Sequence, residues 1–145
     1  MSFPKQKFRE IVLQVLFSQG FTGLEEELAS FLSEQLAVSK KIIFEAIEKS
    51  RAISSLIPEI DARVEGVSSS YDWSRISSVE KSILRLGVYE LFHDTSLPPK
   101  VTIAEAIRLA RKFSTPEGAS FVNAILDSLF QGDKAVGSAT TLSEK

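Results

Sequence analysis

Apolar residues recur every three or four positions along most of the chain, which is the period of an amphipathic α-helix. The first such stretch is predicted to begin near Pro4, because a proline fits the opening turn of a helix, where its missing N–H costs little. Gly20 is expected to end this helix. The residues of its apolar face are Phe8, Ile11, Val12, Val15 and Leu16.

Two more helices are predicted in the first half of the chain. Thr22 and Glu25 have capping-box spacing, in which a hydroxyl and a carboxylate each bind a backbone N–H group at the start of a helix. Ser39 can cap the third helix, which Pro58 is expected to end. The residues expected to face the core are Leu24, Leu28, Phe31, Leu32 and Leu36 in the second helix, and Ile42, Ile43, Ala46, Ile47, Ile53 and Ile57 in the third.

The second half begins with a central helix. Ser77 and Glu80 form another capping-box pattern, and residues 79–92 are apolar nearly all round. A helix of this kind is usually buried at the centre of its domain. Gly87 lies within it at a cost of about 1 kcal/mol relative to Ala. Its presence predicts that another helix crosses closely there.

Two further helices complete the second half. Thr102 and Glu105 again have capping-box spacing and predict a helix start after a proline pair. Thr115 and Pro116 predict the start of the last helix, which Gly132 is expected to end.

These signals predict an all-α protein, because no stretch alternates with the period of a β-strand. With a short helix at residues 60–64, about seven helices are expected in two sub-bundles that share one core. The polar, Ser-rich segment 66–72 is the expected boundary between them. The expected ranges are 1–66 for the N-terminal half, 73–132 for the C-terminal half, 1–132 for the whole domain and 133–145 for a disordered tail.

Composition excludes several classes of function. Seventeen basic and nineteen acidic residues give a formal charge of −2, whereas proteins that hold nucleic acid by charge alone are usually basic. The chain has no Cys, and its single His93 has no companion ligand, so no metal site is expected. There is no catalytic or nucleotide-binding motif, so we expect neither an enzyme nor a cofactor. No stretch approaches the roughly 20 apolar residues of a membrane span, which favours a cytoplasmic protein.

Three segments of the second half resemble a known family. They are VEKSILRLGVYEL at residues 79–91, PKVTIAEA at 99–106 and FVNAILD at 121–127. In their order and spacing they resemble the central helix, the following proline turn and the last helix of the NusB family of bacterial transcription antitermination factors. Residues 9–17 are similar to the first helix of that family, which follows a short basic segment.

The resemblance implies a non-catalytic RNA and protein adaptor built as a two-part helical bundle. Members of the family typically bind the boxA element of ribosomal RNA transcripts, as single-stranded RNA, together with the ribosomal protein NusE. The complex helps RNA polymerase pass terminators, and thus regulates ribosomal RNA transcription. Two alternatives stay open: a NusB-like module that acts as a homodimer, and the RNA-binding domain of an RNA methyltransferase.

The resemblance also assigns candidate RNA-binding residues. Lys5, Lys7 and Arg9 match the basic segment that contacts RNA in the family, where each cation would add salt-sensitive affinity. The alternative is a solubilising N-terminus. Phe121 matches an aromatic position at the RNA surface, on which a base could stack. It could equally join the apolar core face of its own helix.

Charged residues of the second half are further candidates. Lys81 and Arg85 lie four apart on the central helix, where like charges repel slightly. Either acidic side chains compensate them or they meet an anion such as RNA. Glu80 and Glu117 match acidic positions near NusE in the family, although each also suits the first turn of a helix. Asn123 is expected to anchor a hydrogen bond between helices.

Overall fold

The described part of the chain is built from α-helices. The computed structural model describes residues 3–18, 25–68, 74, 76–94 and 96–143, with side chains up to residue 132. Within these ranges it contains seven α-helices and no strand, which confirms the predicted all-α class. Gly20, Thr22 and Leu24, which carry three of the predictions above, lie outside the described residues. The helices are α1 (Lys5–Phe17), α2 (Glu25–Leu36), α3 (Lys40–Ser54), α4 (Ile57–Val67), α5 (Ser78–His93), α6 (Pro99–Phe113) and α7 (Pro116–Ser143).

Contacts divide the chain into two compact units, residues 1–57 and 58–145. The division falls in the first turn of α4, earlier than the segment 66–72 that the sequence suggests as a boundary. Within the second unit, Asp61 of α4 receives two hydrogen bonds from Arg85 of α5.

In the first unit, α3 packs against both α1 and α2. Ser39 caps α3 as predicted, because its Oγ accepts a hydrogen bond from the N–H of Ile42 at 3.4 Å. Phe31 was expected to face inward but is 57% exposed, since α2 turns Ala29 and Leu32 toward the core instead. The buried apolar residues of this unit are Ile11, Val12, Leu13, Val15, Leu16, Ala29, Leu32, Val38, Ile43, Ala46, Ile47 and Ile53.

In the second unit, α5 packs against α6 and α7, which also pack against each other. Ser77 caps α5 as predicted, with its Oγ accepting from the N–H of Glu80 at 3.2 Å. A Cβ placed on Gly87 would lie 3.0 Å from Cδ1 of Leu126 on α7 and 3.7 Å from Cβ of Ala106 on α6. The predicted close crossing at Gly87 is therefore confirmed.

The start of α6 differs from the prediction. Pro98 is extended and Pro99 occupies the first turn, where a proline loses no helical hydrogen bond. Thr102 consequently lies inside α6 and not at its cap, with 1% of its surface exposed. Its hydroxyl has no hydrogen-bond partner in the described part of the chain. Thr115 does cap α7, since its Oγ1 accepts from the N–H of Gly118 at 2.9 Å.

The last helix is longer than predicted. α7 continues past Gly132, its expected end, to Ser143. A glycine keeps its backbone N–H and C=O, so it can continue a helix at a cost of about 1 kcal/mol. The disordered tail expected at residues 133–145 stays a prediction. Among the described residues, no helix is both long and apolar enough to cross a membrane.

Candidate RNA and partner interface

The basic N-terminal segment occupies the first turns of α1. Lys5 and Lys7 are exposed there and can reach a phosphate. Arg9 is 6% exposed, because it lies on the same side of the helix as the buried Val12 and Leu13. A phosphate contact needs a guanidinium at the surface, so the predicted role of Arg9 in RNA binding does not fit its position. Lys5 and Lys7 are therefore the residues of this segment that are placed to contact phosphate. We call them the lysine pair.

The packing of α3 on α1 brings a further cation to this region. Lys49 of α3 holds its Nζ 6.0 Å from the centroid of the Phe8 ring on α1. The sequence gives no sign of this contact, because the two residues belong to different helices. Lys49 thus joins the basic surface of the first unit as a residue that helical periodicity alone does not identify.

On the central helix, Arg85 is already paired with an acid. Its Nε and one terminal nitrogen donate to the two carboxylate oxygens of Asp61 at 3.0 and 2.8 Å. The two side chains are 23% and 18% exposed. The sequence left two explanations for the like charges of Lys81 and Arg85, an acidic partner or contact with an anion such as RNA. For Arg85 the structure shows an acidic partner and does not support the predicted contact with RNA. Lys81, one turn earlier, is partly exposed.

Glu80 connects the start of α5 to the turn between α6 and α7. Its Oε2 accepts hydrogen bonds from the hydroxyls of Ser77 at 3.0 Å and Ser114 at 2.8 Å. Space beside this group is tight, because a Cβ on Gly118 would lie 2.9 Å from the same oxygen. The capping-box spacing predicts the Ser77 contact, whereas Ser114 lies 34 residues away and is found only in the structure. We name Ser77, Glu80, Ser114 and Gly118 the Glu80 cluster.

The first turns of α7 carry the two remaining candidates. Glu117 is exposed, as contact with a partner requires. Phe121 is 9% exposed, although stacking on a base needs an open ring face. Its burial favours the core interpretation that the sequence left open. Asn123 is exposed and has no side-chain hydrogen bond within the described part of the chain, so the predicted bond between helices is wrong.

The candidate residues fall into both units. Lys5 and Lys7 belong to the first unit, and Glu80, Lys81 and Glu117 to the second. Within the second unit, the Glu80 cluster brings the start of α5 next to the first turn of α7. In the ranges that the structure describes, no three His, Cys, Asp or Glu side chains are grouped to hold a metal ion. The exposed Lys5, Lys7 and Glu117 offer charged groups that can form hydrogen bonds with a ligand.

Comparison with known proteins decides the family. The sequence profile of the NusB family matches residues 6–131. The chain belongs to the NusB family. Transcription antitermination protein NusB of Chlamydia pneumoniae is 36% identical over 129 residues, covering 88% of this chain and 81% of the relative. The same protein of an Anaeromyxobacter species is 33% identical over 134 residues, covering 91% and 93%.

Solved structures agree with this assignment. NusB of T. maritima superposes with a TM-score of 0.75 at 32% identity, covering 89% of this chain and 92% of that one. A chain in the crystal structure of a plectonemic RNA supercoil superposes with a TM-score of 0.74 at 25% identity, covering 88% and 94%. The predicted family and the predicted all-α fold are confirmed. Since its relatives are antitermination proteins, this NusB homologue is not an enzyme.

Proposed function

We propose that this NusB homologue is an antitermination factor that binds boxA-type single-stranded RNA together with the ribosomal protein NusE. The observation that carries the proposal is the family match over residues 6–131, almost the whole helical part of the chain. The structural likeness to a chain crystallised with an RNA supercoil supports an RNA ligand. In this role the protein acts in the cytoplasm, as part of the antitermination complex of RNA polymerase.

The charges of the protein suggest that it holds RNA weakly without its partner. Its formal charge is −2, and at least four cations of the described residues are held by acids. These are Lys40 by Glu26, Arg51 by Glu25 and Glu48, Arg85 by Asp61, and Arg108 by Glu105. A cation in an ion pair adds less to phosphate binding than an unpaired one. A basic ribosomal protein would supply the missing positive charge, so NusE should raise the affinity for RNA.

A titration of labelled boxA-type RNA tests the proposal. Binding is measured by fluorescence anisotropy with and without NusE, at two salt concentrations. We expect weak binding by the chain alone and a clear gain with NusE. A chain that binds no RNA under either condition would contradict the proposal. Sedimentation of the chain alone tests the alternative of a homodimer.

The lysine pair provides the matched variants. Replacing both Lys5 and Lys7 by Ala should weaken RNA binding and lower the slope of log K against log salt by about 1.4, since each phosphate contact on single strands contributes about 0.7. Replacing Lys40 and Lys41 by Ala removes the same charge from the start of α3 in the same unit. Equal losses for the two double variants would mean that net charge, and not the N-terminal segment, controls binding.

A further inference from the structure

A groove on the second unit has no role in the function described so far. It has a volume of about 360 Å³ and lies between the C-terminal half of α6 and the first turns of α7. This volume falls in the range of about 300–1,000 Å³ that is typical of small-molecule pockets. Its lining residues are Ile107, Arg111, Pro116, Ala119, Ser120 and Asn123.

The cation of this groove differs from three other arginines that the structure describes. Arg111 is exposed, and within the described residues its guanidinium has no ion pair, hydrogen bond or aromatic contact. Arg51, Arg85 and Arg108 are all paired with acids. A position in the last turn of α6 already favours a cation there through the helix dipole. The interaction with the helix dipole needs only a positive charge. The planar guanidinium of Arg111 can in addition donate two parallel hydrogen bonds to one oxyanion.

The remaining lining residues divide by chemistry. Ile107, Pro116 and Ala119 give an apolar wall, against which a planar ring can lie. Ser120 and Asn123 are exposed on α7 and offer a hydroxyl and an amide, which both donate and accept hydrogen bonds. An anion-binding fork, an apolar wall and an adaptable polar edge are the three features that a nucleotide requires.

We propose that this groove, which we name the Arg111 groove, binds one nucleotide of the single-stranded RNA. Arg111 holds the phosphate, the base lies against the apolar wall, and Asn123 with Ser120 binds the edge of the base. This inference rests on the proposed RNA-binding function and adds a site to it. An acidic side chain of a protein partner would satisfy Arg111 but would leave the apolar wall and the amide of Asn123 unused, so the nucleotide fits the groove better.

The test uses boxA-type RNA in the anisotropy assay, with the full chain and NusE present. Arg111→Ala should weaken RNA binding roughly tenfold, as expected for the loss of a charged hydrogen-bonding group, and should lower the salt slope by about 0.7. Arg111→Lys should keep the slope but lose affinity, because it retains the charge without the fork. Asn123→Ala should weaken binding without changing the slope. Lys112→Ala, which removes the neighbouring charge, is the matched control and should change affinity by less than about twofold.

The outcomes separate this inference from the function on which it rests. If the unaltered chain binds no RNA with or without NusE, the proposed function fails and the groove proposal fails with it. If the unaltered chain binds RNA but Arg111→Ala behaves like Lys112→Ala, only the groove proposal is overturned. It is also overturned if Arg111→Ala weakens binding of NusE in the absence of RNA, since the groove would then hold protein. Thermal melting followed by circular dichroism checks that each variant is folded.

Discussion

The close helix crossing at Gly87 leads to a quantitative prediction for the variant Gly87→Ala. The new methyl group would lie 3.0 and 3.3 Å from the two Cδ atoms of Leu126. Leu126 is 0% exposed, so it has no solvent-filled space into which it can move. Overpacking of this kind costs typically about 1–3 kcal/mol. Alanine recovers about 1 kcal/mol through its higher helix propensity, so the variant should be less stable than the parent by up to about 2 kcal/mol.

Gly66→Ala in α4 is the matched control, because no atom lies within 4 Å of a Cβ at that position. At position 66 the only expected effect is the higher helix propensity of alanine, so the variant should be more stable than the parent by roughly 0.5–1 kcal/mol. The difference between the two variants removes the propensity contribution and should be about 1–3 kcal/mol. Urea unfolding followed by far-ultraviolet circular dichroism measures the free energy of unfolding of each variant.

A second background isolates the contact with Leu126. Leu126→Ala alone should lower the free energy of unfolding by about 2–5 kcal/mol. It also leaves room for the methyl group, so Gly87→Ala should stabilise this background while it destabilises the parent. If Gly87→Ala is as stable as Gly66→Ala in the parent, or has the same effect in both backgrounds, the packing argument is refuted.

Three further variants test individual contacts. Thr102→Val replaces a buried hydroxyl that has no partner among the described residues. In urea titrations the free energy of unfolding should therefore rise by roughly 1 kcal/mol. A decrease would mean that this hydroxyl is hydrogen-bonded. Gly118→Ala places a Cβ 2.6 Å from Oγ of Ser114 and 2.9 Å from the carboxylate oxygen of Glu80, so it should lower the melting temperature. The triple variant Gly118→Ala/Glu80→Ala/Ser114→Ala removes both contacts and should be more stable than the double variant Glu80→Ala/Ser114→Ala, because a larger residue is then tolerated at 118; a further loss would exclude these contacts as the cause. Asp61→Ala removes the carboxylate that binds Arg85 and should cost only about 0.5–1 kcal/mol, because water reaches this partly exposed pair. High salt should reduce the difference from the parent.

The features that the sequence predicts correctly are those that depend on neighbouring residues. The caps at Ser39, Ser77 and Thr115 each follow from a hydroxyl placed three residues before the N–H that it binds. The crossing at Gly87 follows from one small residue in an otherwise apolar helix. Such patterns are local, so they can be interpreted before the fold is known.

The interactions that were missed join distant parts of the chain. Arg85 meets Asp61 across 24 residues, and Ser114 meets Glu80 across 34. Helical periodicity assigns a side chain to a face but does not say which helix will cover that face. For the same reason Arg9 was expected at the surface and is instead buried in the first unit. The family resemblance identifies the positions involved, but it does not determine the exposure of their side chains.

The Glu80 cluster also restricts how this protein can diverge in sequence. A side chain larger than hydrogen at Gly118 would collide with the carboxylate that accepts the hydroxyls of Ser77 and Ser114. In homologues that share this arrangement, the residues at 80, 114 and 118 should therefore change together. An aligned homologue with a larger residue at 118 should have smaller side chains at 80 and 114. The first turns of α5 and α7 and the C-cap of α6 should therefore vary together in sequence.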